Sequence, residues 1–409
     1  MSVQNYVLYI NIKIMISNKW KYGAIPALLI HGSIGTVYCW SLLTNAVKDA
    51  MGMSCEWAFS LAIFFLGISA AFLGPFVEKN VKKASLTSAI CFGFGMILSG
   101  IACSIGNYLL FHLGYGVIMG IGLGIGYLSP IKTIMLWFKE NKGLAAGIAI
   151  AGFGIAKILG GPGFSYFLNH FGIAETFIFH GIFYLLVMLI AVIYIRKPEG
   201  EEEKEGDITL TEWSNGIVEI FKLDKIWIYW LIFYLNISAG LAIISNEVLF
   251  FKHSGITVFG VGMAVSLCAI FNSIGRLGTA WFSDFLKNRS ILFGIILIVS
   301  TIACCLGISS PSGVTWTVLL CNAGYGAMFA IMPSALHDKY GMDNLSKIHG
   351  AILSAWAFAG LTGNQLAQVA LALPYSYSPR IIILLAIVLY SIGILLSVRL
   401  SKKSRKSMP

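Results

Sequence analysis

Twelve uncharged or nearly uncharged stretches of about 20 residues recur along this chain. They are Tyr22–Leu43, Trp57–Val77, Ala84–Ile105, Tyr108–Met135, Gly143–Leu168, Ala174–Ile195, Ile226–Val248, Ile256–Phe282, Ile291–Ile308, Val314–Ala335, Ile348–Leu371 and Ser378–Leu400. A helix of that length crosses a hydrocarbon core of about 30 Å. It also closes its backbone hydrogen bonds within itself, as lipid demands. The expected fold is therefore an all-α membrane protein with twelve transmembrane helices. Composition agrees: only 11% of the residues are charged, against about 25% in soluble domains.

Charge placement sets the topology. The chain carries 28 Lys and Arg and 18 Asp and Glu, a net charge of +10. With both termini on one side, 22 of the 28 cations fall in the N-terminal segment, the even-numbered loops and the tail. Lys48, Lys252 and Arg380, the last at the outer edge of span twelve, count to the odd-loop side, Arg399 at its inner edge counts to the tail, and Lys132, Lys157 and Arg276 lie within spans. Cytoplasmic loops are the ones enriched in Lys and Arg. The basic excess thus reports a multi-pass protein of the cell membrane with both termini cytoplasmic. Its partner is the lipid bilayer, not nucleic acid. The tail cations Lys402, Lys403, Arg405 and Lys406 read as a stop signal, with contact to anionic lipid as the alternative. The eight cysteines form no CxxC pair and mostly fall inside spans. They read as small core residues, implying no disulfide framework, metal site or cofactor. Residues before Trp20 lack a signal-peptide pattern, and Met15 offers an alternative start that would leave 1–14 dispensable.

The polar stretch Lys197–Lys225, with its acidic cluster Glu199–Glu205 and Asp207, divides the spans six and six. The expected organisation is a cytoplasmic segment 1–21, a six-helix half 22–196, a cytoplasmic linker 197–225, a second half 226–400 and a basic tail 401–409. Glu212–Leu223 fits a short amphipathic helix on the inner membrane surface. The halves echo each other. Gly74-Pro75-Phe76-Val77-Glu78-Lys79-Asn80-Val81-Lys82-Lys83 follows the second span, and Ala280-Trp281-Phe282-Ser283-Asp284-Phe285-Leu286-Lys287-Asn288-Arg289 follows the eighth. Each places an acid four residues past a small residue, with cations just beyond. Glu78 and Asp284 are 206 residues apart, half the chain. Internal repeats of this kind are expected in transporters. The small residue allows close helix approach, and the acid can bind a neighbouring helix end or cation and hold one conformation.

These loops resemble the acid-and-basic turn between spans two and three of the major facilitator superfamily, although its usual second glycine is Val81 here. Further segments are similar to the oxalate:formate antiporter family, which is related to monocarboxylate transporters. They are Tyr38-Cys39-Trp40-Ser41 with Asn45-Ala46-Val47-Lys48-Asp49, and Trp137-Phe138-Lys139-Glu140-Asn141-Lys142-Gly143-Leu144-Ala145-Ala146-Gly147. Asn272-Ser273-Ile274-Gly275-Arg276 and Asp338-Lys339-Tyr340-Gly341 to His349-Gly350 match as well. The resemblance implies two pseudo-symmetric six-helix halves around a central site.

Two charges mark that site. Arg276 is the only charge between Ile256 and Phe282, and Lys157 the only one between Gly143 and Leu168. Charge at membrane depth is costly and is usually kept for a substrate or ion pathway. Lys157 lies roughly 21 Å in from Gly143, and Arg276 roughly 12 Å in from Asp284 on the same side, so both fall near mid-membrane. A guanidinium cannot deprotonate, and its fork fits a carboxylate. The resemblance assigns Arg276 the family's carboxylate-binding arginine. The structural alternative is an arginine bonded to backbone carbonyls or to an acid elsewhere. The family's second cation, in span eleven, is replaced by Trp356. The first-span lysine of the monocarboxylate carriers is replaced by Trp40, and the acid one turn before the arginine by Asn272. Lys157 is expected to take over the second cation's role, with Trp40, Trp356 and Asn272 around the substrate. These departures shift the cargo away from oxalate itself.

Weaker candidates are His31, His112 and His180, which read as satisfied core histidines rather than proton relays. Lys132 is expected to snorkel to the inner interface, and Glu247 to sit at the outer one. The glycines from Gly114 to Gly126 mimic a nucleotide-binding pattern, but no strand precedes them, so they read as close helix packing. Gly143 to Gly163 reads the same way, with Pro162 as a kink. No nucleophile–base set is present, so no enzyme is expected. The sequence points to a monomeric secondary transporter of small organic anions, mono- or dicarboxylates, working by exchange. Proton-coupled monocarboxylate symport or export is the alternative. A sensor that binds without transporting is the alternative of another class.

Overall fold

The computed structural model describes residues 18–201, 217–255, 258–371 and 378–401. Helices occupy all twelve expected positions. Spans two to six are Glu56–Lys79, Val81–Ile105, Tyr108–Trp137, Lys142–Phe171 and Ile173–Tyr194. Spans seven to twelve are Ile226–Ile244, Val258–Ser283, Ser290–Ser309, Pro311–Tyr340, Leu345–Leu371 and Ser378–Ser401. The first span is irregular. A wide turn at Lys19–Ala24, helices Ile25–Ile34 and Trp40–Met51 and a tight stretch Gly35–Cys39 succeed one another, and the axis bends by 62°. Among the described residues nine helices are long and apolar enough to cross a membrane, or ten if the bent first pair counts as one span. Positions eight and eleven hold helices of 26 and 27 residues.

Local chemistry explains the boundaries. Asn80 accepts a hydrogen bond from the Lys83 amide and starts span three, and Asn107 does the same for Leu110 at span four. Ser310 accepts from Gly313, with Pro311 at the first helical position. That cap starts span ten three residues before the apolar run from Val314. Span seven departs most from expectation. It stops at Ile244, turns at Ser245 and Asn246, and resumes as a separate short helix, Glu247–His253.

The halves meet along spans two and eleven, and along spans five and eight. Small residues make this possible. A methyl on Gly67 would sit 2.5 Å from the Leu353 carbonyl oxygen, and one on Gly147 would sit 2.6 Å from the Ala280 Cβ. Such close approach is how helices associate without a hydrophobic drive between them. Gly120 and Gly124 lie against the backbone of span two in the same manner, and Pro162 lies inside an unbroken helical run. Of the expected surface helix Glu212–Leu223, residues 212–216 lie outside the described residues, and 217–221 are helical. The N-terminal extension and the basic tail from Lys402 also lie outside them.

Candidate functional site

On the side of the acid-and-basic loops, each half holds a helix start of the other. Glu78, 6% exposed, accepts from the Ser346 amide at 3.0 Å, at the start of span eleven. It also pairs with Lys132 from span four. Lys132 therefore does not snorkel. Span four continues to Trp137, which leaves Lys132 more than a turn inside the helix and beside a buried carboxylate. Asp284 accepts from the Gly143 and Leu144 amides at 2.8 and 2.9 Å, at the start of span five. Arg289 bonds Asp284 at 2.6 Å and also reaches Asp338. Both acids thus sit at positive helix ends. Gly74 stands where an added methyl would lie 2.9 Å from the Ser346 carbonyl oxygen. Lys82 and Lys83 are exposed beyond it.

Arg276 lies at the interface of the halves, 1% exposed. Its Nε donates to Asn272 Oδ1 one turn earlier, at 2.7 Å, and its Nη1 donates to the Ile150 carbonyl of span five, at 3.1 Å. The Phe153 and Phe329 rings flank the guanidinium at 5.5 and 5.4 Å, a favourable setting for a buried cation. Among the described residues no carboxylate pairs with it. Trp356 is fully buried, 4.4 Å from Phe329 and 5.6 Å from Tyr127 between ring centres. Its indole nitrogen, the Tyr127 hydroxyl and His349 Nε2 are buried with no hydrogen-bond partner among the described residues.

Lys157 is not alone. Its Nζ lies 3.1 Å from Glu247 Oε2, and Glu247 Oε1 accepts from Asn322 Nδ2 at 3.0 Å. Glu247 is 4% exposed, not interfacial: it opens the short helix after the break at Ser245–Asn246 and is paired with Lys157 and Asn322. The acid absent from both cation-bearing spans comes from a third element. A chain of contacts then runs to the arginine: Asn272 Nδ2 donates to the Asn322 carbonyl at 3.1 Å, and Asn272 Oδ1 accepts from Arg276. Across the interface the Tyr38 and Tyr325 hydroxyls meet at 3.0 Å.

A recess of about 390 Å³, lined by Tyr38, Trp40, Glu56, Lys157, Ser245 and Asn246 among others, opens away from the acid-and-basic loops. Trp40 is part of its wall and packs on Tyr115 at 4.8 Å. Behind Tyr38 and Lys157 lies a void of about 20 Å³ that reaches Asn272 and Asn322, room for about one water. A larger recess of about 750 Å³ lies at the loop side between Lys19, Phe138 and Arg196, away from these residues.

Comparison with known proteins fits this arrangement. The family model for the Major Facilitator Superfamily matches residues 23–364. The chain belongs to the major facilitator superfamily. Among superfamily relatives, the oxalate:formate antiporter of Oxalobacter formigenes is 27% identical over 366 residues, covering 86% of this chain and 85% of that protein. The apicoplast pyruvate carrier 1 of Toxoplasma gondii is 24% identical, covering 82% and 81%. A crystal structure of the E. coli fucose:proton symporter FucP superposes with a TM-score of 0.69 at 14% identity, covering 93% of this chain and 98% of that one. This likeness establishes the superfamily fold. The family and its structural neighbours are transporters.

The expectation of satisfied core histidines fails for His112, whose Nε2 is buried with no hydrogen-bond partner among the described residues. His31 lies between the Ala149 and Tyr127 carbonyls at 2.7 and 3.0 Å, and His112 and His180 each bond a carbonyl one turn back. Sequence reasoning passed over His349, Tyr127 and Tyr325. The signal available was their position in apolar runs where a polar group needs a reason.

Proposed function

We propose that this superfamily member carries small organic anions, mono- or dicarboxylates, across the cell membrane by exchange, with Arg276 as the carboxylate receptor. One observation carries the reading: a fully buried guanidinium at the interface of the halves, without an acid partner among the described residues. The orphaned Trp356, Tyr127 and His349 groups nearby offer further polar contacts once the central void widens. Relatives named for oxalate, formate and pyruvate support a carboxylate cargo.

The acid-and-basic loops are taken as cytoplasmic, with both termini on that side and the chain working as a monomer. The anion enters the recess from outside, the Tyr38–Tyr325 contact parts, and Arg276 exchanges the Ile150 carbonyl for a carboxylate. Release requires Glu78 and Asp284 to leave the helix ends they hold.

Exchange follows from charge. The expectation of two uncompensated cations reduces to one, since Glu247 neutralises Lys157. An empty carrier must still pass through the occluded state with one unbalanced charge, at a cost of about 3 kcal/mol, or about a hundredfold in rate. In proteoliposomes, counterflow of labelled pyruvate should exceed net uptake by about that factor, and Arg276→Gln should abolish both. Equal rates of counterflow and net uptake would reject exchange. Wild-type transport by Arg276→Gln would remove the arginine from the site.

A further inference from the structure

Glu247 is a carboxylate already inside a site that is read as binding carboxylates. Three observations set it apart from a structural ion pair. Its partner Lys157 borders both the open recess and the inner void, so an incoming anion meets that ammonium first. Glu247 begins a short helix just after a break in span seven, so a turn at Ser245–Asn246 would move the carboxylate without disturbing the span. Its second oxygen is tied through Asn322 and Asn272 to Arg276, so the two cations share one polar chain.

The charges then count simply. With Glu247 ionised, the site carries one net positive charge, and a monoanion on Arg276 makes it neutral. With Glu247 protonated, Lys157 is released and the site carries two, which a dianion makes neutral. A site this far from water favours neutral combinations, because unbalanced charge there is expensive. We propose that Glu247 is the charge selector of the anion site: ionised it admits monocarboxylates, and protonated it admits dicarboxylates, each of which then moves with one proton. This rests on the carboxylate reading above and adds the rule that decides between the two substrate classes.

The groups around Glu247 are compatible with the role. Span five brings Lys157, and span eight brings the Cys268 thiol. Span ten brings the Asn322 amide, and span seven the polar Ser245 and Asn246. Span twelve carries Arg380 at its exposed start, and Lys252 on the short helix itself is exposed. Cys39 lies near Lys157, and Glu56 lies farther out on the recess wall. Among the described residues Lys157 is the one ammonium bonded to the Glu247 carboxylate, so its loss of contact is the event that protonation triggers.

The test uses purified full-length protein in proteoliposomes, with pyruvate and oxalate as probes between about pH 6 and about pH 8, where both probes stay fully ionised. In wild type, oxalate counterflow should rise several-fold toward the acid end while pyruvate counterflow falls. A level oxalate profile overturns the proposal without need of any variant. Glu247→Gln, which fixes the uncharged form, should make oxalate independent of pH at its acid rate and lower pyruvate about tenfold. An oxalate profile like that of wild type overturns the proposal. Lys157→Gln combined with Glu247→Gln restores the single net charge with matched amides. It should favour pyruvate over oxalate at every pH, and a surviving acid-driven rise in oxalate also overturns it. If wild type moves neither probe, the carboxylate reading falls and takes this one with it. If pyruvate counterflow depends on Arg276 while Glu247→Gln behaves as wild type, only the selector is lost.

Discussion

Asp284→Asn should open the loop side of the carrier. The wild-type carboxylate accepts from Gly143, Leu144 and Arg289 at 2.8, 2.9 and 2.6 Å, and is largely buried. Hydrogen bonds to a charged group contribute roughly 1.5–3 kcal/mol each. Asparagine keeps one acceptor oxygen and turns an NH2 toward the other donor, so at least one such bond is lost and the others weaken. Arg289 retains Asp338 as a partner, so the low end, about 2 kcal/mol, is the working figure. That is about a thirtyfold bias toward the open form. A population about 99% closed would become roughly three-quarters closed. The assay is a distance distribution between spin labels at Lys139→Cys and Lys287→Cys, both exposed and on opposite halves, with the exposed Cys305 replaced by alanine. A second, longer distance should appear in Asp284→Asn. Asp338→Asn is the control. Its side chain is 42% exposed, so its pair with Arg289 is worth less than about 1 kcal/mol and the distribution should barely change. Equal shifts in the two variants would refute the reasoning. So would a lower melting temperature for Asp284→Asn with no longer-distance population.

Three further outcomes follow from the same geometry. Glu78→Gln should produce a similar long-distance population, and its effect should add to that of Asp284→Asn because the two acids hold different helix ends; a double variant no more open than either single one would count against this. Arg276→Lys should lower pyruvate counterflow at least tenfold, since an ammonium cannot reproduce the planar fork, and wild-type rates would show that charge alone suffices. Gly67→Ala drives a methyl against the Leu353 carbonyl and the Ala357 amide at 2.5 and 2.6 Å. Overpacking of this kind costs about 1–3 kcal/mol, so thermal unfolding in detergent should come several degrees earlier, and an unchanged midpoint would show that the spans slide apart freely.

The spans were legible because lipid leaves a chain few options. The paired acids were legible because the same spacing of small residue, acid and cations recurs half a chain apart, whereas the helix ends they hold, 268 and 141 positions away, were not. The partnership of Lys157 with Glu247 was not. The two residues are 90 positions apart, on elements whose contact depends on how the halves dock. An unbroken helix over Ile226–Val248 would also carry Glu247 to the membrane surface. In the structure the helix breaks after Ile244 and restarts at Glu247, and Ser245-Asn246 is too weak a signal to announce that break. Lys132 misled in a related way. Its distance from the expected span end suited snorkelling, and its real partner, Glu78, lies at the end of span two.

Span five ties these contacts together. Gly143 and Leu144 bind Asp284, Ile150 binds Arg276, and Lys157 binds Glu247. These positions recur every seven residues, about two helical turns or roughly 10 Å, so they lie along one face of the helix. Gly147 and Gly154 fall between them and press on Ala280 and Ser273 of span eight. Every partner belongs to the second half. An anion that takes the guanidinium from the Ile150 carbonyl therefore removes one central tie on that face, and a dianion bound with Glu247 protonated removes the Lys157 tie as well. The ties that remain on span five, Asp284 at Gly143 and Leu144 and the 2.7 Å contact of Lys142 with His337, all lie at its loop end. A rigid helix held at one end is easier to lift than one held along its length, and this links occupancy of the centre to the release of a loop some 10–20 Å away. The acid on the first half, Glu78, holds span eleven, where Trp356 and His349 lie close to the same centre. The two halves thus present the anion with the same problem from opposite sides.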